Sequence, residues 1–233
     1  MMHTDQNYFQ TLAAAFVRGK LAHTAIYETQ QALFTTPLEA LSGDEIQDLI
    51  QLGAAYGLCL HKFKATMELA RVRKVLGILR GLQPANLLDI GSGRGAFLWP
   101  LINEFPALPV TALDILPHRV EDMLAVQRGG IGQLSAILGD VTTMAFPDHS
   151  FDVVTMLEVL EHIPDTTHAL SQVCRVARRW VIFSVPSKED NNPEHIHLFT
   201  QNTLQSKLAE QGITRVKFDF VHNHMIVVAK VAA

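Results

Sequence analysis

Three glycines at alternate positions, Gly91, Gly93 and Gly95, constrain the folding of this chain more than any other feature. They follow the apolar run Leu87–Ile90, which is typical of a buried parallel strand, and they precede an apolar stretch from Ala96 that could open a helix. Glycine lacks a Cβ atom, so the backbone can turn sharply there and come close to a ligand. Because a helix N-terminus presents free N–H groups, the pattern predicts a strand, a loop and a helix that bind a nucleotide-like cofactor. A tight turn without a ligand is the simpler alternative.

The composition is that of an ordinary globular protein. Of the 233 residues 48% are apolar, which provides for a substantial core, and the formal charge of -4 disfavours a dedicated nucleic-acid binder. Cys59 and Cys174 are far apart and lack metal-type spacing, so we expect ordinary thiols in a reducing compartment. The polar N-terminus shows no secretory signal, and no apolar run approaches the ~20 residues that cross a bilayer. We therefore expect a cytoplasmic protein.

The first part of the chain has helical periodicity and no strand signal. We predict a helical cap or substrate region over residues 1–83 and a second domain over residues 84–233. Apolar residues from Phe9 to Phe16 recur at the spacing of one buried helix face. The sequence Ser42-Gly43-Asp44-Glu45 has the form of a capping box that opens another helix, and Gln83-Pro84 ends a third.

The third predicted helix is rich in basic residues, with only Glu68 to oppose them. These are Lys62, Lys64, Arg71, Arg73, Lys74 and Arg80. We interpret them as a solvated face. The alternative is a patch that attracts an anionic substrate or a phosphate backbone.

From Asn86 onward, short apolar runs alternate with helical segments. The predicted strands cover residues 87–90, 110–113, 134–138, 151–157, 180–184, 216–221 and 225–231, and the predicted helices cover 96–105, 118–127, 166–178 and 200–211. Only His222-Asn223-His224 separates the last two strands, which is too short for a right-handed parallel crossover. These strands should therefore pair antiparallel, at the end of a mostly parallel sheet with helices on both faces.

The glycine loop by itself does not distinguish two cofactors. Its spacing fits the relaxed dinucleotide fingerprint, and Asp114, about 20 residues further on, could accept hydrogen bonds from the ribose of NAD or of S-adenosylmethionine. Asp89, just before the loop, would repel a pyrophosphate but suits a cationic ammonium and sulfonium. Asp140, after the third strand, could accept from an adenine amino group. These carboxylates and the final hairpin favour S-adenosylmethionine.

Here the chain resembles the class I S-adenosylmethionine-dependent methyltransferases. Residues 88–95 look like their first motif, Leu113-Asp114 like their acidic ribose contact and Gly139-Asp140-Val141 like their adenine contact. Residues 146–154 look like the stretch that leads into their fourth strand. The resemblance implies an α/β fold with a Rossmann-like, seven-stranded, mostly parallel sheet, a C-terminal antiparallel hairpin and, outside the resemblance, an N-terminal all-helical extension. The cofactor-binding residues that it implies are Asp89, Gly91, Ser92, Gly93, Gly95, Asp114, Ile115, Asp140, Val141 and Leu157.

The residues after the fourth strand are the candidates for chemistry, because ligands lie at the carboxyl ends of the strands in open α/β sheets. Residues 157–164 are similar to those of ubiquinone-pathway O-methyltransferases and many small-molecule relatives. Our hypothesis is that His162, together with Glu161, removes a proton from the acceptor where one must be lost. A histidine that only fixes the loop by hydrogen bonding is the simpler alternative.

A divalent metal ion is a second hypothesis for the same segment. Glu158, Glu161 and His162 would converge if the segment were helical, and His195 or His197 could add a nitrogen ligand. The pattern resembles that of metal-dependent small-RNA 3′-terminal 2′-O-methyltransferases. However, Glu-x-x-Glu-His also occurs in relatives that use no metal, and residues 188–193 depart from the RNA enzymes' pattern.

The sequence therefore predicts a methyltransferase that acts on an oxygen or nitrogen of a small molecule. An RNA methyltransferase of the metal-assisted ribose 2′-O type is the main alternative, and the basic third helix is its only local support. A protein that binds S-adenosylmethionine without turnover and an NAD oxidoreductase also stay open. The identity of the acceptor and the oligomeric state do not follow from the residues.

Overall fold

A seven-stranded sheet forms the centre of the computed structural model, which describes residues 9–65 and 69–231. The strands are β1 (Leu87–Ile90), β2 (Val110–Asp114), β3 (Leu134–Leu138), β4 (Phe151–Leu157), β5 (Ala177–Pro186), β6 (Arg215–Val221) and β7 (His224–Lys230). Their order across the sheet is β3-β2-β1-β4-β5-β7-β6. The first five strands are parallel, and β7 runs antiparallel to both β5 and β6. This confirms the predicted fold, including the terminal hairpin.

The predicted helices form in the predicted order, with corrections to some of their ends, and two short helices at residues 25–29 and 31–35 are additional. They are α1 (Gln10–Leu21), α2 (Ala25–Thr29), α3 (Gln31–Thr35), α4 (Gly43–Ala55), α5 (Ala70–Leu82), α6 (Leu98–Glu104), α7 (Pro117–Arg128), α8 (Thr166–Val176) and α9 (Gln201–Glu210). Lys62 and Lys64 lie outside α5, because residues 61–63 form a separate 3-10 turn. The helix predicted to reach residue 178 ends at Val176, because the chain then enters β5 directly.

Local chemistry explains where several of these helices begin and end. The Ser42 hydroxyl accepts from the Glu45 N–H, and the Glu45 carboxylate accepts from the Ser42 N–H, so the predicted capping box forms. Gln83 ends α5 in the left-handed conformation and is followed by Pro84. Pro100 is the third residue of α6, where its missing N–H removes no hydrogen bond within the helix.

Both faces of the sheet are covered, and the N-terminal helices belong to one of the two layers. Residues of α1, α4, α5, α6 and α7 share a continuous core with Leu87, Val110 and Val153 on one face. The alternate residues Leu88 and Val154 pack with α8 and α9 on the other face. The described N-terminal helices are therefore joined to the sheet through a common core, and a domain boundary between residues 83 and 84 stays a prediction.

Most of the basic residues near α5 are in ion pairs. Lys62 pairs with Asp122, and Lys74 lies 2.5 Å from Asp219. Arg80 and Glu104 form a pair with a shortest distance of 2.5 Å. Glu68, the acidic residue of the predicted patch, is outside the described residues. This pairing favours the solvated-face interpretation over a patch that binds phosphates.

Across the parts of the chain that the structure describes, every helix is too short or too polar to cross a membrane.

The contact between α1 and α7 depends on two glycines, because the backbones of the two segments come very close to each other there. A Cβ atom on Gly19 would lie 1.8 Å from the Ala125 carbonyl oxygen, and one on Gly129 would lie 1.8 Å from the Ala15 carbonyl oxygen. No side chain fits in either place without moving a backbone. These glycines therefore set the distance at which α1 packs against α7.

We expect Gly19→Ala to lower the free energy of unfolding by about 1–3 kcal/mol, because the new methyl group forces α1 away from α7. Gly77→Ala in α5 is the matched control, since a Cβ there meets nothing within 4 Å. It should be neutral or stabilise by about 0.5–1 kcal/mol. Urea unfolding curves compare the two variants. Equal stability of both would contradict this account of the α1–α7 contact.

Candidate functional site

A cavity of about 440 Å³ opens at the carboxyl ends of β1, β2, β3 and β4. It is lined by Ile90, Gly91, Leu113, Asp114, Ile115, Gly139, Asp140, Val141, Thr142, Val159, His162, Ile163, Pro164 and Asp165. A smaller cavity of about 180 Å³ lies on the other side of Gly91 and is lined by Arg71, Val72, Asp89, Gly91, Ser92, Gly93, Arg94, Ala96, Phe97, Leu157 and Glu158. Gly91 borders both cavities, and we refer to the two together as the cleft and to each of them as one half of it.

The glycine loop has a shape that other residues could not adopt. Gly91 and Gly95 have φ angles of 68° and 83°, in the left-handed region. A Cβ on Gly91 would lie 2.4 Å from a Val159 methyl carbon, and one on Gly95 would lie 2.0 Å from the Trp99 ring nitrogen. The Trp99 ring N–H donates to the Arg94 carbonyl at 2.9 Å and so stabilises the loop. The predicted loop forms, although the helix after it begins at Leu98 rather than at Ala96.

Asp114 joins the glycine loop to the end of β2. Its carboxylate accepts from the Gly93 N–H at 2.7 Å and from the Leu116 N–H at 2.9 Å. These bonds fix the buried carboxylate at the border of the larger cavity, beside Ile115, whose side chain is 62% exposed. A ribose that lies over the loop would find an oriented pair of acceptor oxygens at this position.

Asp140 borders the same cavity from the end of β3. Its Oδ1 accepts from the Thr142 N–H at 2.8 Å and from the Thr142 hydroxyl at 2.7 Å. Both bonds end on Oδ1, which leaves Oδ2 available to a ligand. Val141 packs into the core and also lines the cavity. The cavity therefore offers a carboxylate and apolar walls, which suit an adenine ring.

Asp89 lines the smaller half of the cleft and is only 2% exposed. It accepts from the Ser92 hydroxyl at 2.6 Å and from the Thr155 hydroxyl at 2.8 Å. Burial raises the pKa of Asp89 to about 6, although the two hydroxyl groups oppose that shift and nearby Asp114 adds to it. A buried carboxylate with two neutral hydrogen-bond donors favours a cationic ligand beside it.

The predicted catalytic segment gathers three side chains. One ligand atom each from Glu161, His162 and His195 lies within 4.8 Å of the others. Glu161 is completely buried, and among the described residues neither of its carboxylate oxygens has a hydrogen-bond partner. Burial, with a contribution from nearby Glu158, raises the pKa of Glu161 to about 8.

The second nitrogen of each histidine in this cluster is already engaged. Nδ1 of His162 lies 2.9 Å from the Glu194 carbonyl oxygen, and Nδ1 of His195 lies 2.9 Å from an Asp190 carboxylate oxygen. Because both partners only accept, each Nδ1 carries a proton, and in the neutral form of each ring Nε2 has the lone pair. His197 is not in the cluster, since its ring contacts the Ile163 carbonyl oxygen at 3.0 Å.

Glu158, predicted as a fourth member of this cluster, is not in it. Residues 160–162 form one 3-10 turn and Glu158 has a φ of 56°, so the segment is not the helix that convergence required. The Glu158 carboxylate instead accepts from the Ser184 hydroxyl at 2.6 Å and has Nδ1 of His224 at 2.8 Å. Arg71 lies beside both, 3.9 Å from the carboxylate and 3.3 Å from Nε2 of His224.

The sequence gives no sign that Arg71 lines the cleft, that Thr155 bonds Asp89, or that Ser184 and His224 contact Glu158. Arg71 was assigned to a basic helix face, and Ser184 and His224 lie on strands that are adjacent only because β7 pairs with β5. No local spacing links these residues to the glycine loop. Only the order of the strands in the sheet would show that these residues lie close together.

Comparison with known proteins agrees with this geometry. Residues 88–184 match the family described as Methyltransferase domain. The chain is 26% identical over 153 residues to the malonyl-acyl-carrier-protein O-methyltransferase of Methylococcus capsulatus, a match that covers 60% of this chain and 55% of that protein. The chain spans about half the length, or less, of the curated relatives that it matches.

Solved structures show the same fold. A methyltransferase from Aquifex aeolicus whose description names S-adenosylmethionine dependence superposes with a TM-score of 0.59 at 21% identity, over 69% of this chain and 89% of that one. Magnesium protoporphyrin IX methyltransferase from Synechocystis, with S-adenosylhomocysteine bound, superposes with a TM-score of 0.57 at 17% identity. The second match covers 93% of this chain and 99% of that structure, and so extends over the N-terminal helices.

We expect the affinity for S-adenosylhomocysteine, the demethylated form of the predicted cofactor, to fall as the pH drops below about 6. The ammonium group of the ligand favours the ionised form of Asp89, and protonation of Asp89 at its raised pKa competes with binding. The loss approaches tenfold per pH unit. Isothermal titration calorimetry at several pH values measures it.

Asp89→Asn should weaken binding about 10- to 100-fold at neutral pH and remove the pH dependence, because an amide does not titrate. Asp44→Asn, on the exposed first turn of α4, is the matched control and should bind as the wild type does. A wild-type affinity that stays constant through this pH range, or a D89N variant with the wild-type pH dependence, would contradict this assignment.

Proposed function

We propose that this chain is a class I S-adenosylmethionine-dependent methyltransferase that transfers a methyl group to an oxygen or nitrogen of a small-molecule acceptor. The match of residues 88–184 to the family described as Methyltransferase domain and the shared fold support this proposal. The observation that carries the proposal is the divided cleft around Gly91. Its larger half has the carboxylates of Asp114 and Asp140 for an adenosine, and its smaller half has Asp89 and Arg71 for a zwitterionic amino acid. Only a methyl donor that has both an adenosine and an amino acid would occupy both halves of the cleft.

The smaller half of the cleft matches the charges of the donor's methionine portion. Buried Asp89 is the partner for the ammonium group, and the Arg71 guanidinium is the partner for the carboxylate. With the adenosine on the other side of Gly91, the sulfonium would lie next to Gly91 and Leu157. Methyl transfer is an in-line displacement, and holding the acceptor in line with the methyl carbon contributes about 7–11 kcal/mol.

Several observations support a small molecule as the acceptor. The relative from Methylococcus and the neighbour from Synechocystis are described as methyltransferases of an acylated carrier protein and of a porphyrin. The cations around α5, which were the only support for an RNA acceptor, are mostly paired with carboxylates. We assign the selection of the acceptor to the N-terminal helices, since α5 contributes Arg71 and Val72 to the cleft.

His162 is our candidate for the group that takes the acceptor's proton. The bond of its Nδ1 to the Glu194 carbonyl leaves Nε2 free to accept a proton. Glu161, buried beside it, would stabilise the imidazolium ion that forms. Acceptors that are already anionic would not need this step, because the leaving thioether is neutral.

A divalent cation is a second candidate for the same three side chains, and the residues fit one. Two imidazole nitrogens with fixed tautomers and an unpartnered buried carboxylate form a ligand set that Zn²⁺ and similar ions bind. Asp190 contacts Nδ1 of His195 and the Glu194 carbonyl contacts Nδ1 of His162. Such contacts orient the histidine ligands of a metal ion. An ion held by Glu161, His162 and His195 would polarise an acceptor hydroxyl.

We expect His162→Ala to lower kcat for methyl transfer about 10²- to 10⁴-fold while the affinity for S-adenosylhomocysteine stays near the wild-type value. Transfer of a radiolabelled methyl group to a panel of small phenols, carboxylic acids and amines measures it. His23→Ala, at an exposed histidine that is far from His162 in the sequence, is the control. Near-normal turnover of H162A would show that His162 only fixes the loop. Binding of S-adenosylhomocysteine with no product from any acceptor would favour a non-catalytic binding protein.

The metal alternative predicts a different set of results. Titration of Zn²⁺ or Mn²⁺ into chelator-treated protein should then show one site, which Glu161→Gln and His195→Ala both abolish. Activity of the wild type should fall with EDTA and return with the metal. No ion binding and no effect of EDTA would remove the metal and leave His162 as the proton acceptor.

A further inference from the structure

A second polar cluster lies at the methionine end of the cleft and is separate from the three residues discussed above. Its four side chains come from different elements: Arg71 from α5, Glu158 from the end of β4, Ser184 from β5 and His224 from the start of β7. The Arg71, Glu158 and His224 side chains are between 18% and 26% exposed, so ligands can reach them at one side. Arg71 and Glu158 also line the smaller cavity.

The contacts of His224 define its protonation state. Nε2 lies 3.3 Å from a terminal nitrogen of Arg71, and a guanidinium group only donates, so Nε2 must be the acceptor. The ring proton is then on Nδ1, which is 2.8 Å from Oε2 of Glu158. The Nδ1–H bond is not aligned on that oxygen, so this contact is electrostatic rather than a hydrogen bond. Neutral His224 therefore directs its one lone pair at Arg71.

Glu158 is held in place independently of His224. Its Oε1 accepts from the Ser184 hydroxyl at 2.6 Å, and its backbone N–H donates to the Ser184 carbonyl at 3.0 Å. Its φ of 56° is unusual for a residue other than glycine. The His224 ring consequently has an anionic partner, Glu158, on one side and a cationic partner, Arg71, on the other.

Arg71 has two partners that compete for it. In the structure it donates to Nε2 of His224 at 3.3 Å, whereas in the proposed function it binds the carboxylate of the donor. A guanidinium–carboxylate pair is bidentate and about twice as strong as a hydrogen bond to a neutral acceptor. The Nε atom is 3.9 Å from Glu158, which is too long for a hydrogen bond, so Glu158 does not hold Arg71 tightly.

We propose that the donor's carboxylate draws Arg71 away from His224, and that the exposed Nε2 of His224 then accepts a hydrogen bond from a hydroxyl or N–H group of the methyl acceptor. This inference rests on the proposed function. Donor binding thereby completes the acceptor subsite, so the donor binds before the acceptor. The subsite selects acceptors that carry a hydrogen-bond donor at or beside the methylated atom. His224 is a binding and positioning residue in this scheme.

The ¹⁵N NMR spectrum of histidine-labelled protein tests this proposal without an acceptor. We expect the Nε2 resonance of His224, assigned by its loss in His224→Gln, to shift when S-adenosylhomocysteine is added. 5′-Methylthioadenosine, which has the adenosine and sulfur but no amino acid, should bind and leave that resonance unchanged. An unchanged resonance with bound S-adenosylhomocysteine, or equal shifts with both ligands, would overturn the proposal. Failure of the wild type to bind S-adenosylhomocysteine would instead overturn the proposed function.

The Arg71→Gln variant tests whether the ligand affects His224 through Arg71 or by another route. It should bind S-adenosylhomocysteine at least 10-fold more weakly and 5′-methylthioadenosine unchanged, and its His224 resonance should no longer respond to S-adenosylhomocysteine at saturation. Arg73→Gln, two residues along α5 and facing an outer groove, is the control and should behave as the wild type does. A persistent response of His224 in R71Q would contradict a role for Arg71.

The acceptor side is tested in steady-state kinetics with any acceptor that the panel finds. His224→Gln should raise the KM for the acceptor with little change in kcat, and its affinity for S-adenosylhomocysteine should equal that of the wild type. Product inhibition should show that the donor binds first in the wild type and that the order becomes random in H224Q. An unchanged acceptor KM in H224Q, or random order in the wild type, would overturn the proposal.

Discussion

The bond between the Gly93 N–H and the Asp114 carboxylate is the contact on which the site depends. It fastens the glycine loop, at the end of β1, to the loop at the end of β2. The same carboxylate caps the next turn through the Leu116 N–H. A second bond on the same side runs from the Gly91 N–H to the Leu113 carbonyl at 2.8 Å, so the loop is fastened to β2 at two points. One carboxylate thus shapes the cleft and offers its remaining acceptor capacity to the ligand.

The cleft also contains groups that folding alone would not favour. Asp89 is buried with hydroxyl partners only, and Glu161 is buried with none among the described residues, and burial raises the pKa of both. Removing a charge from water costs free energy that only a cation or a proton offsets. For Asp89 we propose the donor's ammonium group as the matching cation. For Glu161 it is a proton, an imidazolium ion or a metal ion.

Much of the fold could be predicted because its signals are local. Alternating strands and helices, the short His222-Asn223-His224 connection and the glycine loop each depend on neighbouring residues, and all of them appear in the structure as expected. Asp114 and Asp140 could be placed for the same reason, since each follows a strand that ends at the same edge of the sheet. Carboxylates at strand ends are thus predictable from sequence alone.

The rest depends on distant parts of the chain. Arg71 reaches the cleft only because α5 packs over the sheet, and His224 only because β7 inserts between β5 and β6. Glu158 and Glu161 would lie on one face of a helix, as the sequence predicts. However, Glu158 has a φ of 56°, so its backbone is not helical. Such contacts follow from tertiary packing, which the spacing of residues does not reveal.

The central claim is that the cleft around Gly91 is built for S-adenosylmethionine rather than for a dinucleotide. Calorimetric titration of the purified chain with S-adenosylhomocysteine, and separately with NADH, tests this claim directly. The account predicts saturable binding of one S-adenosylhomocysteine per chain and no binding of NADH. Saturable binding of NADH with none of S-adenosylhomocysteine would contradict it.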